Sequence, residues 1–207
     1  MNSKGRDLIG DFSRHLSLPV IKGARHPDLN TITSETLSDL LEGKYNDEVK
    51  KFRIIDCRYP YEYNGGHVKF AENWNKPNIV IEELRKKKAQ QTSSDKPENN
   101  NEILIFHCEF SANRGPKYLR LLREEDRDMN EYPTLCFPEV YLLKGGYKEF
   151  FASYPDLCEP KSYVKMIDPN YADDLKSHKA QCKLWFVDNT IRGKGPIARI
   201  SQTIDER

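Results

Sequence analysis

The segment that most constrains the fold is the apolar run Ile103–Phe106, because it leads directly into His107-Cys108. The run is too short for a helix and is rich in β-forming residues, so we predict a buried strand. Proline is tolerated in the first turn of a helix, and a helix is therefore expected to start at Gly115-Pro116. Cys108 and the polar residues after it then form a loop between the carboxyl end of a strand and the N-terminus of a helix.

Short strands and helices alternate along much of the chain. We predict strands at Phe52–Ile55, near Ala71–Trp74 and at Val140–Leu143. Helices are expected after a cap at Thr33 or Ser34, for one turn over Tyr59–Tyr63, after a cap at Asn78, and over Tyr147–Tyr154. Strands that alternate with helices imply an α/β fold in which helices cover both faces of a mostly parallel sheet.

Length and composition favour one domain with polar extensions. A chain of 207 residues is about one domain long. We expect an irregular tail over 1–25, a domain over 26–165 with a flexible loop at 89–101, and a C-terminal helix and basic tail over 166–207. Within that last region, Lys176–Arg207 is interpreted as a mobile tail. The net charge of +1 gives no overall field that would attract nucleic acid or an anionic membrane, so neither is an expected partner.

The cysteine pattern argues against a disulfide framework and against a metal site. The five cysteines are irregularly spaced, and no CxxC pair is present. No apolar run approaches the length of a membrane span, and the N-terminus does not resemble a signal peptide. We therefore expect a protein of a reducing compartment, the nucleus and cytoplasm, that uses no metal.

The loop that begins at Cys108 is the candidate site. A cysteine and an arginine separated by five residues, here Cys108 and Arg114, would occur about 0.3 times by chance in such a chain. Requiring the preceding His107 and the following Gly115 lowers that expectation to roughly 4 in 10,000. The position of the loop, between a predicted strand and a predicted helix, adds to this specificity.

This arrangement suits a phosphate ester. Backbone N–H groups at the start of a helix point at one place, where the helix dipole favours an anion. Arg114 can bind two phosphate oxygens with its planar guanidinium. The same positive field is expected to lower the pKa of Cys108, and a thiolate there can attack phosphorus and form a phosphocysteine. His107 is interpreted as a structural residue of the loop rather than a base.

Four segments resemble the M-phase inducer phosphatases, dual-specificity cell-division-cycle phosphatases with a rhodanese-like fold. They are Ile55–Tyr63 with Gly65-Gly66-His67, His107–Ser111 with Arg114-Gly115-Pro116, Leu122–Arg127, and Leu143–Phe151. The resemblance covers about residues 25–165. It implies a rhodanese-like three-layer fold with a central sheet of about five strands.

The resemblance also implies an activity and a set of site residues. The family removes inhibitory phosphates from phosphothreonine and phosphotyrosine of cyclin-dependent kinases and promotes mitotic entry. The expected substrate is a phosphorylated, cyclin-bound kinase, and the expected enzyme is a monomer without a cofactor. Cys108 matches the nucleophile and Arg114 the phosphate-binding arginine, and Glu109 is a candidate catalytic acid. The phosphate-binding residues are then Glu109, Phe110, Ser111, Ala112, Asn113 and Arg114.

Two further roles follow from the same resemblance. Cys57 matches a cysteine that traps the oxidised nucleophile as a disulfide, which prevents irreversible oxidation. Arg123, Arg127 and Tyr132 match a surface that docks the kinase, although such a charged helix face is often only solvated. We expect the regulatory N-terminal region of the family to be absent or reduced to about 25 residues here, as in a minimal enzyme or the catalytic part of a longer protein.

Departures from the family keep alternatives open. Ala112-Asn113 replaces the usual Ser-Glu, and asparagine cannot act as a general acid. The acid is then Glu109 or belongs to the substrate, or the protein is a catalytically weak module that binds phosphoproteins. Local repacking is expected at Lys69–Glu72, and Lys117 replaces an arginine. A sulfurtransferase or an arsenate reductase on the same fold is a third reading, which five residues between Cys108 and Arg114 disfavour.

Overall fold

The structure is a computed structural model that describes residues 7–93 and 102–191. In those residues the strands are β1 Thr31–Ile32, β2 Lys51–Asp56, β3 His67–Val68, β4 Ala71–Asn73, β5 Glu102–His107, β6 Val140–Leu143 and β7 Cys158–Glu159. The helices are α1 Ser34–Leu41, α2 Pro60–Asn64, α3 Pro77–Ser93, α4 Arg114–Met129, α5 Gly146–Ser153 and α6 Ala172–Ile191. No described helix combines the length and apolarity needed to cross a membrane.

The main sheet has five parallel strands in the order β1-β6-β5-β2-β4, which confirms the predicted α/β class. Strand β5 lies at its centre, between β6 and β2, and all six of its residues are buried. A central parallel strand is covered on both faces, which explains why Ile103–Phe106 is an uninterrupted apolar run. Strands β3 and β7 form a separate antiparallel pair that the sequence analysis did not predict.

Successive side chains of β5 alternate between two hydrophobic cores. Ile103 and Ile105 pack with residues of α1 and α5, and Leu104 and Phe106 pack with residues of α3 and α4. This alternation follows from the two-residue period of a strand. Helices therefore cover both faces of the sheet, as predicted. Burying a side chain such as Phe106 stabilises the fold by about 2–3 kcal/mol.

Most predicted elements are present with small shifts at their ends. Thr33 caps α1 by accepting a hydrogen bond from the Thr36 N–H. Helix α4 begins one residue earlier than predicted, at Arg114. The predicted cap at Asn78 is wrong, because α3 begins at Pro77 and the Asn78 side chain donates to Glu82 instead.

The N-terminal segment is irregular, as expected, but it is packed into the domain. Ile9 joins the core on the α1 side of the sheet. Buried Glu139 forms an ion pair with Arg14 and accepts a hydrogen bond from the Ser17 N–H at 2.6 Å. The Leu18 N–H donates to the hydroxyl of Tyr141 at 3.0 Å. Residues 7–25 therefore belong to the folded unit, in contrast to the expected tail.

Two expectations about polar segments differ from the structure. Helix α3 continues to Ser93, so the expected loop at 89–101 is helical over its first residues, and 94–101 lie outside the described residues. Helix α6 lies where a C-terminal helix is expected within 166–207, and it continues to Ile191 through part of the segment expected to be a mobile tail, while 192–207 lie outside the described residues. Phe186 is only 3% exposed and holds α6 to the domain. A helix held by so few apolar contacts leaves a weak periodic signal in the sequence.

Candidate active site

The parallel register of β2 and β5 places Cys57 beside Cys108. Asp56 is opposite His107 at the carboxyl ends of these strands, and the Cys57 N–H donates to the His107 carbonyl at 2.8 Å. Both cysteines lie just beyond the same edge of the sheet, and both are buried. The structure thus brings together the predicted nucleophile and its predicted redox partner.

The loop after Cys108 is held from one side by the start of α5. The Tyr147 N–H donates to the Cys108 carbonyl at 2.9 Å, and the Lys148 N–H donates to the Glu109 carbonyl at 3.0 Å. In a trans peptide the C=O and the following N–H point in opposite directions. The N–H groups of Glu109 and Phe110 therefore point away from α5, toward the side on which an anion would bind.

The conformation of the loop depends on Ser111, within it, and on Gly146 of α5, which lies against it. Ser111 has a left-handed φ of 50°, which is uncommon for a residue other than glycine. Gly146 has a φ of 61°, and a Cβ there would lie 2.3 Å from the Cys108 carbonyl oxygen and 2.8 Å from the Ser111 nitrogen. Only glycine fits at this close approach between α5 and the loop.

Arg114 is the first residue of α4, and its guanidinium is fixed by the fully buried Glu62. Both guanidinium Nη atoms donate to the Glu62 carboxylate, with an Nη2–Oε1 distance of 2.9 Å. The guanidinium carbon also lies 4.7 Å from the centre of the Tyr59 ring. Burial opposes the charge of Arg114, but the hydrogen bonds and charge of Glu62 raise its pKa above the ordinary value. Glu62 lies far from the loop along the chain, so no local pattern in the sequence indicates that it will meet Arg114.

A second buried arginine lies beneath the loop. Arg58 and Asp56 form a fully buried ion pair, and the Nη2 of Arg58 also donates to the Gly66 carbonyl at 2.7 Å. The guanidinium carbon lies 3.8 Å from the centre of the Tyr147 ring. Asp56 is also 3.8 Å from the Nε2 of His107. Burial lowers the pKa of His107, against the opposing effect of Asp56, which agrees with a structural role for this ring.

The side chains of Glu109, Phe110 and Asn113 differ in their burial and in their contacts. Glu109 is 4% exposed, and its carboxylate accepts a hydrogen bond from the Tyr163 hydroxyl, which the sequence analysis did not identify. Phe110 is half exposed, with the Lys148 ammonium 5.3 Å from its ring centre. Asn113 precedes α4, but its side chain makes no capping hydrogen bond. The loop therefore presents backbone groups and Arg114 at its open side.

Cys57 lies in a fully buried environment. Burial raises the pKa of the Cys57 thiol well above its usual value, and the neighbouring Cys108 adds to this effect. Cys57 is therefore protonated at neutral pH. A protonated Cys57 thiol adds no negative charge beside Cys108.

The predicted docking residues lie together on one surface of the domain. The Arg127 guanidinium carbon is 5.8 Å from the centre of the Tyr132 ring, and its Nη2 donates to the Gly10 carbonyl at 3.1 Å. Arg123 is partly buried and donates to the Pro138 carbonyl at 3.3 Å. The exposed ring of Phe12 lies 6.2 Å from that of Tyr132, although no pattern in the sequence indicates this contact.

An aromatic cavity lies between α2 and α6. It has a volume of about 310 Å³ and is lined by Pro60, Tyr61, Asn64, Gly65, Tyr171, Asp174 and His178. The ring of Tyr61 stacks on that of Tyr171 at 4.7 Å. Within residues 7–93 and 102–191, no group of three or more His, Cys, Asp and Glu residues is arranged to hold a metal ion.

Comparisons with known proteins agree with this geometry. Residues 33–153 match the family model described as a rhodanese-like domain. The chain is 51% identical over 178 residues to M-phase inducer phosphatase 3 of Xenopus laevis, covering 86% of this chain and 30% of that protein. It is 46% identical over 192 residues to human M-phase inducer phosphatase 2, covering 93% of this chain and 32% of that protein.

A solved structure of a yeast protein tyrosine phosphatase of the rhodanese family is 19% identical, with a TM-score of 0.47. The alignment covers 65% of this chain and 92% of the yeast protein. The chain belongs to the rhodanese-like domain family and, within it, to the M-phase inducer phosphatases. It spans about a third of the length of the curated relatives described above.

Gly146→Ala should disrupt the loop without unfolding the protein, because its Cβ would collide with the backbone at Cys108 and Ser111. We expect the affinity for inorganic phosphate, measured by calorimetry, to fall by more than about tenfold. Gly23→Ala is the matched control, since Gly23 also has a left-handed φ, of 71°, but has open space around its Cβ position. Equal affinities in Gly146→Ala and Gly23→Ala would contradict this account of the loop.

Proposed function

We propose that this protein is a dual-specificity protein phosphatase that hydrolyses phosphotyrosine and phosphothreonine of a cyclin-dependent kinase and so promotes mitotic entry. The observation that carries the proposal is the loop from Cys108 to Arg114. It combines a cysteine, backbone N–H groups that point to one side, and an arginine fixed by Glu62. Membership of the M-phase inducer phosphatase family supports the proposal.

The proposed reaction begins with binding of the phosphate ester at the N-terminus of α4. The loop N–H groups and the helix dipole stabilise its negative charge. Two of the five donors of Arg114 are engaged by Glu62, which leaves donors of the same rigid guanidinium for the phosphate oxygens. Glu62 thus orients the arginine before the substrate arrives.

The proposed reaction consists of two successive displacements at phosphorus. The Cys108 thiolate attacks in line, the S–P bond forms and the P–O bond to the substrate breaks. The leaving oxygen takes a proton as it departs. Water then attacks phosphorus, the S–P bond breaks, and inorganic phosphate and the thiolate are released.

The proton for the leaving oxygen comes from Glu109 or from the substrate. Asn113 has no acidic proton, so it cannot supply it. Glu109 is the candidate within the loop, with its carboxylate bound to the Tyr163 hydroxyl. The alternative is a donor on the substrate. If neither group donates a proton, the protein is instead a catalytically weak module with the same fold that binds phosphoproteins.

The proposal is tested with a cyclin-dependent kinase phosphorylated on its glycine-loop threonine and tyrosine. Under reducing conditions, phosphate release should fall by at least about 10³-fold in Cys108→Ser, because this variant lacks the attacking thiolate. Cys136→Ser, which removes a buried thiol outside the loop, should retain activity.

Three results would contradict the proposal. Retained activity in Cys108→Ser would exclude the phosphocysteine. Binding of the phosphorylated kinase without turnover would favour the binding module. Faster turnover of thiosulfate or arsenate than of phosphate esters would favour a sulfurtransferase or an arsenate reductase.

We further propose that Arg123, Arg127 and Tyr132 dock the kinase. Arg127→Glu reverses an exposed charge without touching the loop. It should lower kcat/KM for the kinase by about tenfold and leave turnover of a small phosphate ester unchanged, since an acidic partner would be repelled. Arg85→Glu, which reverses an exposed charge on α3, is the control and should leave both unchanged. Equal effects of Arg127→Glu on both substrates would exclude docking.

Cys57 is proposed to protect the nucleophile. Hydrogen peroxide oxidises the Cys108 thiolate to a sulfenic acid, and the Cys57 sulfur then displaces hydroxide, which leaves as water, to form a disulfide. Loss of the negative charge on Cys108 also removes one influence that raises the pKa of Cys57. A dithiol then reduces the disulfide and restores both thiols.

Brief treatment with peroxide followed by a dithiol should therefore restore most activity to the wild-type protein but not to Cys57→Ser. The measurement is recovered phosphatase activity, with mass spectrometry to count oxygens on Cys108. Cys158→Ser, which removes another buried thiol, should recover like the wild type. Full recovery of Cys57→Ser would contradict the protective role.

A further inference from the structure

The segment 158–166, which we call the crossing segment, is fixed to helices α2 and α5. The Tyr147 hydroxyl on α5 donates to the Ser162 carbonyl at 2.7 Å, and the Tyr61 hydroxyl on α2 donates to the Met166 carbonyl at 2.6 Å. Its first two residues form β7, which pairs with β3. The crossing segment is therefore held in place by contacts that do not involve the loop after the proposed nucleophile.

Tyr163 extends from the crossing segment to the first residue after the proposed nucleophile. Its hydroxyl donates to Oε1 of Glu109 at 2.5 Å. Its ring lies against α5, with its centre 5.9 Å from that of the Tyr147 ring and 6.3 Å from that of the Phe151 ring. Burial and the neighbouring Glu109 raise the pKa of Tyr163 above its ordinary value, so the hydroxyl keeps its proton and acts as the donor.

Glu109 is held at both its main chain and its side chain. Its carbonyl accepts a hydrogen bond from the Lys148 N–H at 3.0 Å, and its carboxylate accepts one from Tyr163. Among the described residues, no second group donates to this carboxylate and no cation forms an ion pair with it. Within that part of the chain, the Tyr163 hydroxyl therefore fixes the direction of the Glu109 side chain.

A carboxylate at this position of the chain can compete with a phosphate group. Glu109 follows Cys108 directly and is only 4% exposed, and a carboxylate shielded from water is costly without a hydrogen-bond donor. The loop N–H groups and the guanidinium of Arg114 are the donors that serve an anion in this site. A Glu109 carboxylate that turned to these donors would occupy the place of the phosphate.

We propose that Tyr163 is a positioning residue for substrate binding. It holds the Glu109 carboxylate at the crossing segment and so keeps the loop N–H groups and Arg114 free for the phosphate group. The proposal rests on the anion-binding role given above to the loop. It concerns binding, and it is independent of which group donates the proton to the leaving oxygen.

The first experiment is a double-mutant cycle that measures the affinity for inorganic phosphate by calorimetry, in proteins that also carry Cys108→Ser. Tyr163→Phe keeps the ring and removes the hydroxyl, and the affinity should fall about tenfold. In the Glu109→Gln background the same change should lower the affinity by less than about twofold, because a neutral side chain competes poorly with phosphate for these donors. Tyr61→Phe is the matched control, since it removes a hydroxyl bound to the same segment at Met166, and it should leave the affinity unchanged.

Three results of these measurements would overturn the proposal. Unchanged phosphate affinity in Tyr163→Phe would show that the hydroxyl has no part in binding. Equal losses in the presence and the absence of the Glu109 carboxylate would show that Tyr163 does not act through it. A loss in Tyr61→Phe as large as that in Tyr163→Phe would indicate a purely structural role of the crossing segment.

Glu109→Gln by itself covers the case in which Tyr163→Phe does not fold. With Tyr163 present, the Glu109 carboxylate does not occupy the site, so removing its charge should raise the phosphate affinity by less than about threefold. A larger gain would overturn the proposal, since it would mean that the carboxylate already competes with phosphate in the presence of the Tyr163 hydroxyl.

These outcomes separate the role of Tyr163 from the proposed function. Ester hydrolysis by the wild type together with an additive cycle would remove the role of Tyr163 and leave the proposed function standing. The expected cycle without ester hydrolysis by the wild type would remove the proposed function and leave the role of Tyr163 standing. A protein that binds no phosphate, with or without Cys108→Ser, would remove both.

Discussion

The parallel pairing of β2 and β5 is the constraint on which the site depends. Asp56 is opposite His107, so β2 and β5 end at the same edge of the sheet. Cys57 and Cys108, the next residue after each strand, therefore lie side by side. A shift of one residue in this register would turn every side chain of β5 to the opposite core and move Cys108 away from α4. Because β5 is buried on both faces, the two cores hold the register firmly.

Two buried ion pairs organise the region around Cys108. Asp56 with Arg58 and Glu62 with Arg114 each place opposite charges in a water-poor environment, which carries a large desolvation cost. Additional contacts offset that cost, from the Gly66 carbonyl and the Tyr147 ring for Arg58 and from the Tyr59 ring for Arg114. Losing one member of such a pair costs about 3–5 kcal/mol, so the arrangement is rigid before any anion binds.

Apart from the left-handed Ser111, the shape of the loop depends on contacts with other segments. Its side chains are small or turned to other partners, as with Glu109 and Tyr163. The start of α5 holds its first two carbonyls, and Gly146 permits the necessary close approach. The orientation of the loop peptide planes therefore depends on distant segments, and the proposed anion site depends on those segments in turn.

Local patterns in the sequence were sufficient for the strands β5 and β6, the start of α4 and the loop between Cys108 and Arg114. Each depends on apolar runs, prolines or spacing within a few residues, where local preferences agree with the final fold. The partners Glu62 for Arg114, Tyr163 for Glu109 and Asp28 for Arg120 were decided only by tertiary structure. They lie far apart along the chain, and a charged or hydroxyl side chain carries no local signal of which opposite group it will meet. The packing of 7–25 and of α6 was decided in the same way, since widely spaced apolar residues such as Ile9, Leu16 and Phe186 are recognisable as anchors only when the core they pack against has formed.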